Sequence, residues 1–349
     1  MKLLVLLLAL VPFNGWAGSI DKNYRASTQG EFIALENGAN IKAMIAPDRG
    51  GELSGLSIFF DGNWHELLYR GMNYTDQPGW RGKAPLLWPA TGISVLESNQ
   101  QRGYQLDNAF YEMPFHGFAK AQQWQVIRNS ESTEMAAVTL QLKDSKETLH
   151  IYPFAFNLQI EYRLLNDRLT LLYKVEAGAN NKQPMPFSIG NHITFNAPLI
   201  EGSHASQLQF ENYFPEQLIT GSDKAFRGLV KPSPFQGRHT ISELPKRKSV
   251  SLGGQKGDPE LTIYDPAGLG LKLVHKSSTE PVKPAIQFNL WADADAGFFS
   301  PEPWVGTQNS LNTGMGIISL QPGQTWQWQI DIIPTWNNPS STINLKELQ

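Results

Sequence analysis

Apolar and polar residues alternate along most of this chain with a period of two. Val138, Leu140 and Leu142 alternate with polar positions, and Phe154, Phe156, Leu158, Ile160 and Tyr162 alternate with Ala155, Asn157, Gln159 and Glu161. Leu169, Leu171, Tyr173 and Val175 repeat the pattern. So do Trp326, Trp328, Ile330 and Ile332, just after Gln321-Pro322-Gly323-Gln324. Successive side chains of a strand point to opposite faces, so this spacing predicts half-buried strands punctuated by Gly, Pro and Asn. Asn37-Gly38, between Phe32–Leu35 and Ile41–Ile45, predicts a hairpin, and Asp48-Arg49-Gly50-Gly51 a tight turn. No segment keeps a convincing helical period over three turns. A chain of 349 residues with many strands, no linker, no short repeat and no low-complexity tract is expected to form one large antiparallel β-sandwich, an all-β fold.

The N-terminus reads differently. Met1-Lys2 is followed by an almost wholly apolar run from Leu3 to Phe13, then Asn14-Gly15-Trp16-Ala17-Gly18. A short charged start, an apolar stretch too short to span a bilayer, and small residues at Gly15 and Ala17 predict a signal peptide cleaved after Ala17. Residues 1–17 are therefore set apart from a single domain over 18–349. A periplasmic or secreted location is expected, with no membrane contact after the leader is removed.

Composition narrows the function classes. Hydrophobic residues make up 41% and charged residues 17%, and the net charge is -3 with no charged block of any length, so nothing points to nucleic acid. Lys246-Arg247-Lys248 is the one basic cluster and reads as a solvated loop. The absence of cysteine excludes disulfides, thiolate metal sites and a cysteine nucleophile. The seven histidines (65, 116, 150, 192, 204, 239 and 275) are scattered, with no HxH or HExxH pair, and give a metal site no support. Asp293-Ala294-Asp295 lacks the further acidic ligands of a calcium loop. There is no G-x-S-x-G elbow, Walker loop or dinucleotide fingerprint.

Two stretches carry candidate chemistry. In Phe299-Ser300-Pro301-Glu302-Pro303-Trp304-Val305-Gly306, prolines flank a carboxylate and a tryptophan follows it. A stiff, aromatic-lined carboxylate suits a general base, which must hold one oxygen near one proton; a surface turn fits the same residues. In Met185 to Asn196, a strand would place Phe187, Ile189, Asn191, Ile193 and Phe195 on a core face. Ser188, Gly190, His192, Thr194 and Asn196 would line a small, polar face. That second face fits either the floor of a polar site or a solvent-facing strand with an idle histidine. His116, between Phe115 and Gly117-Phe118, reads as a partly buried turn residue. Ten tryptophans supply core, with one or two available as a cleft wall against a pyranose ring.

At these residues the chain resembles the aldose 1-epimerase (galactose mutarotase) family and its hexose-6-phosphate 1-epimerase relatives. Four blocks match in the family's order: Pro85–Gly92, His116–Lys120 with Trp124, Met185–Asn196, and Glu302-Pro303-Trp304 with Gly306. Leu320-Gln321-Pro322-Gly323 before the final tryptophan-rich strand also fits, so the likeness runs from about residue 30 to 335. The resemblance implies a galactose mutarotase-like supersandwich with an open cleft. It implies Glu302 as general base, His192 as general acid, and His116 as a ligand to sugar oxygens. Arg81, Asn196 and Trp304 are further candidates for substrate binding. It implies a monosaccharide (hexose) substrate and neither a metal nor another cofactor; no oligomeric state follows from it.

Two positions depart from the family pattern. Ile93 stands where many relatives carry an arginine that meets the sugar, and Arg81 in Trp80-Arg81-Gly82-Lys83-Ala84-Pro85 stands nearby as a substitute. Ile193 stands where proline often follows the histidine. Three functions fit: an exported aldose 1-epimerase of free hexoses; a hexose-phosphate 1-epimerase, motivated by Arg81 and Lys83; and a carbohydrate-binding protein without turnover, motivated by Ile93.

Overall fold

The computed structural model describes residues 24–29, 31–71, 82–221, 224–281 and 284–336. The predicted leader and Arg81 lie outside these residues. Three antiparallel sheets dominate. A five-stranded meander runs through Arg25–Gln29, Phe32–Glu36, Ile41–Ala46, Glu52–Phe60 and Asn63–Glu66. The Asn37 carboxamide builds its first predicted hairpin, its Oδ1 accepting the N–H groups of Ala39, Asn40 and Ile41.

A nine-stranded sheet contains the segments with the clearest alternation, Ala136–Lys143, Phe156–Leu164, Leu169–Ala177 and Thr325–Trp336. Phe156–Leu164 buries every second residue. An eight-stranded sheet sets Val250–Gly253, Ile286–Asp293, Phe298–Gly306, Ile189–Asn191 and Leu86–Leu87 side by side. Helices are short; the longest among the described residues is Lys146–Ile151.

The larger sheets meet through one apolar core. Phe210 packs on Phe299 at 5.5 Å between ring centres, Phe214 on Phe288 at 5.4 Å, and Trp326 on Phe187 at 5.5 Å. The Asn191 Nδ2 donates to the Tyr173 hydroxyl across the same interface at 2.9 Å. Buried aromatic side chains dominate such a core because each removes a large apolar area from water.

The segment 185–196 is not one strand. It breaks into Met185–Phe187, Ile189–Asn191 and Phe195–Asn196, which pair with different partners. Burial does not alternate along it: Phe187, Ile189, Asn191, Ile193 and Phe195 are buried, and so are Ser188, Gly190, His192 and Thr194, because both faces are covered. Every residue of Phe298–Gly306 is also buried, so both faces of that strand are covered. Phe299 and Val305 belong to the main core. Trp304 joins a second cluster with Leu87, Leu218, Phe226 and Ile286 on the opposite face. That opposite face carries the site.

Candidate active site

Strand register assembles the site. Ser251 lies opposite Asn289, and Asn289 lies opposite Glu302. On the other side, Gly190 lies opposite Trp304; continuing that register by two residues brings His192 opposite Glu302. Side chains opposite one another on neighbouring strands share a face about 5 Å apart. Four polar residues from distant parts of the sequence therefore form one row across the sheet.

The row is hydrogen-bonded from Ser251 to Glu302. The Ser251 hydroxyl donates to Asn289 Oδ1 at 3.0 Å, and Asn289 Nδ2 donates to Glu302 Oε1 at 3.0 Å. The Trp304 indole N–H donates to Glu302 Oε2 at 3.1 Å. His192 Nε2 lies 3.6 Å from Glu302 Oε1. Both carboxyl oxygens thus accept N–H groups, which fixes the carboxyl plane.

His116 approaches from a loop. It has φ 63°, and Gly117 follows with φ 69°. A left-handed conformation is uncommon for a residue with a Cβ, so the surroundings must hold it. The His116 N–H donates to the Gly92 carbonyl at 2.8 Å, and the Gly92 N–H donates to His116 Nδ1 at 2.9 Å. With Nδ1 accepting, the neutral ring carries its proton on Nε2. Lys120 Nζ donates to the carbonyls of Phe115 and Gly117, at 2.5 and 2.8 Å, closing the loop from both sides of the histidine. A Cβ on Gly117 would stand 2.1 Å from the Trp88 carbonyl oxygen, so only glycine fits there.

The three groups form one cluster. The His192 ring packs edge-on against His116 at 5.6 Å and against the half-buried Trp291 at 5.7 Å. Phe115, 52% exposed, lies 3.9 Å from the His116 ring and forms an aromatic rim.

Burial sets the electrostatics. Glu302 is 1% exposed, and loss of hydration pushes its carboxyl up to about 8 against the pull of Asn289 and Trp304. Burial pushes His192 down to about 4, with the Lys120 charge adding to the effect. His116 is held well below the usual histidine range by burial and by the neighbouring His192 and Lys120. Burial also lowers Lys120, to about 8. Two titratable groups in contact whose environments drive them apart are a usual mark of acid–base chemistry.

A profile of the aldose 1-epimerase family matches residues 98–332. The chain belongs to the aldose 1-epimerase family. It is 24% identical over 277 residues to the chromosomal LacX protein of Lactococcus lactis, covering 76% of this chain and 85% of that one. Among solved structures it resembles a galactose mutarotase-like protein from Clostridium acetobutylicum (TM-score 0.72, 19% identity, 90% and 99% of the two chains). It also resembles a galactose mutarotase related enzyme from Lactobacillus acidophilus (TM-score 0.71, 20% identity, 88% and 98%). At these identities the solved structures establish the galactose mutarotase-like fold, which agrees with the all-β sandwich expected from the alternation.

Within this aldose 1-epimerase family member, Glu302, His192 and His116 come together as one cluster. Of the other candidates among the described residues, Trp304 and Asn196 take different places. Trp304 is 1% exposed, and its indole N–H donates to Glu302. Its place two residues beyond Glu302 on a strand puts it on the same face. Asn196 lies opposite Phe298, about 13 Å along the strand from the Glu302–His192 pair, and its Nδ2 donates to the Glu66 carbonyl. It fastens the meander to the eight-stranded sheet. Lys83 is buried and paired with Glu52 at 2.9 Å.

Asn289, Ser251, Trp291 and Lys120 were not identified as site residues from the sequence. Lys120 stands in a block that was, but only the loop's shape shows what its ammonium holds. Asn289 and Ser251 become visible only through strand register. Among the described residues no cluster of three or more potential metal ligands occurs.

Proposed function

We propose that the chain is an exported aldose 1-epimerase that interconverts the α and β anomers of a free hexose. The observation that carries this reading is the buried Glu302–His192 pair, 3.6 Å apart, with His116 edge-on beside it. To open a pyranose ring, a base takes the C1 hydroxyl proton while an acid protonates the ring oxygen. After rotation about C1–C2 the ring closes on the other face.

The pair suits both halves of this cycle. With Glu302 raised to about 8 and His192 lowered to about 4, the pair holds one proton at neutral pH, on the carboxyl. Carboxylic acid with neutral imidazole is the state that closes a ring: the acid protonates the aldehyde oxygen and the imidazole accepts the C5 hydroxyl proton. Carboxylate with imidazolium is the state that opens one. The two states differ by one proton moved between Oε1 and Nε2, so a full cycle needs no proton from solvent. The Nε2–H of neutral His116 supplies a hydrogen bond to a sugar oxygen.

A free sugar is favoured over a sugar phosphate because phosphorylated sugars are mostly retained in the cytoplasm, and Lys83, one of the two residues that suggested a phosphate site, is paired with Glu52. The sequence of residues 1–17 supports export, and the mature mass, expected to begin at Gly18, tests it. The decisive experiment is α-to-β exchange of galactose and glucose by NMR. Wild type should accelerate it, and Glu302→Gln should lower the rate by about 10²–10⁴-fold.

One observation favours a second reading, a sugar-binding protein without turnover. Ile93, next to the Gly92 that holds His116, stands where the family resemblance would put an arginine. Saturable sugar binding by a folded sample that leaves the exchange rate unchanged would establish that reading.

A further inference from the structure

We infer that Asn289, held by Ser251, is a positioning residue that keeps the Glu302 carboxyl able to act as a base inside a buried site. The inference deepens the epimerase reading and rests on it for its catalytic consequence, but not for its structural one.

A carboxyl that is 1% exposed has lost the water that would stabilise its anion. Its base form therefore depends on protein donors, and a hydrogen bond to a charged group is stronger than one between neutral groups. Trp304 can only donate, because an indole has no acceptor. Asn289 is different: its carboxamide presents NH₂ on one side and C=O on the other, at nearly equal size. Turned the wrong way, it would set a carbonyl oxygen against Oε1 and oppose the anion. The Ser251 hydroxyl donates to Asn289 Oδ1 at 3.0 Å, which leaves Nδ2 to face Glu302 at 3.0 Å. The Glu302 carboxylate, which can only accept, selects Nδ2, and the Ser251 hydroxyl, which can donate or accept, then anchors the carboxamide at Oδ1 from two strands away.

Register makes the arrangement more than a chance contact. Ser251, Asn289 and Glu302 are directly opposed on three adjacent strands, and the Ser251 and Asn289 side chains are 4% and 3% exposed, respectively. His192 faces Glu302 from just past the end of the strand on its other side, and His116 and Lys120 approach from the loop. Asn289 and Ser251 carry no charge, so replacing them leaves those titratable groups in place.

The test reads Glu302 directly, by ¹³C NMR titration of its side-chain carboxyl in ¹³C-glutamate-labelled protein, alongside the pH profile of kcat/KM. Asn289→Leu should move the Glu302 midpoint upward by about one to two pH units. If exchange activity is present, it should lower kcat by about 10-fold or more, with KM little changed. Ser251→Ala should move the midpoint in the same direction by less, and Ser251→Thr, which restores the hydroxyl, should return it. These serine variants, altered by a single atom or methyl group, keep the test open if Asn289→Leu does not fold. An unmoved midpoint in folded Asn289→Leu, or equal midpoints in Ser251→Ala and Ser251→Thr, overturns the inference whether or not the protein turns over sugars. Absence of exchange in wild type with the midpoints moving as stated would overturn the epimerase reading and leave the positioning role standing.

Discussion

Glu302 is held under two opposed pressures. Burial favours its neutral form, while two N–H donors favour its anion, and burial wins. The cost appears in stability. In the unfolded chain the group titrates near 4.5, and in the native state near 8. Between those values the native state binds the extra proton, so this group's contribution lowers stability as pH rises through that window and is neutral below it. Glu302→Gln keeps the shape and removes the titration. Its Tm should exceed that of wild type by about 2–5 °C at pH 8, and the difference should vanish near pH 4. Differential scanning calorimetry at both pH values checks this. Activity should follow the pair rather than either residue. If exchange is catalysed, kcat/KM should be flat between about 4 and 8. Below that range the pair gains a second proton, and above it the pair loses its last. A rate that rises steadily through pH 6–7, as for an ordinary histidine, would contradict the shared-proton account.

Strands and loops place these residues, and small residues are what let them approach so closely. Gly190 lies opposite Trp304, and a Cβ there would stand 2.6 Å from the indole Cδ1. Gly190→Ala must displace the ring whose N–H holds Glu302. It should cost about 1–3 kcal/mol in urea denaturation and lower kcat more than it changes KM. The same scale explains what could be read from the sequence. Glu302 between prolines and His192 among small polar residues stand out by residue type, whereas period two suggested one buried face for 185–196 where the structure covers both. Asn289 and Ser251 stayed hidden because an asparagine and a serine in strands are unremarkable until one knows which strands are neighbours. Asn196 illustrates a related limit, since a shared face does not imply a shared site: four residues along a strand is about 13 Å.

At the scale of the whole molecule, the nine- and eight-stranded sheets share a core, so the floor of the site is also a wall of that core. Phe299 is fully buried against Phe210, three residues from Glu302. Phe299→Ala should cost about 3–5 kcal/mol and should weaken exchange as well as stability. Far-UV circular dichroism and tryptophan fluorescence should report one coincident transition. The alternating pattern made the all-β class plain from the sequence. It could not supply the sheet order, which joins Glu216–Thr220, Val250–Gly253 and Ile286–Asp293 across long stretches of chain.

The row from Ser251 to His192 runs at right angles to the chain, along the direction of main-chain pairing. Its spacing is set by peptide groups, which every residue possesses, and not by the identity of the side chains it carries. Each position in the row is a socket whose place survives a change of occupant. A lineage of such sheets can exchange a base for a mere hydrogen-bonding group, or a donor for a spacer, without moving the remaining members. An enzyme and a sugar receptor can then be separated by a single occupant on an unchanged frame.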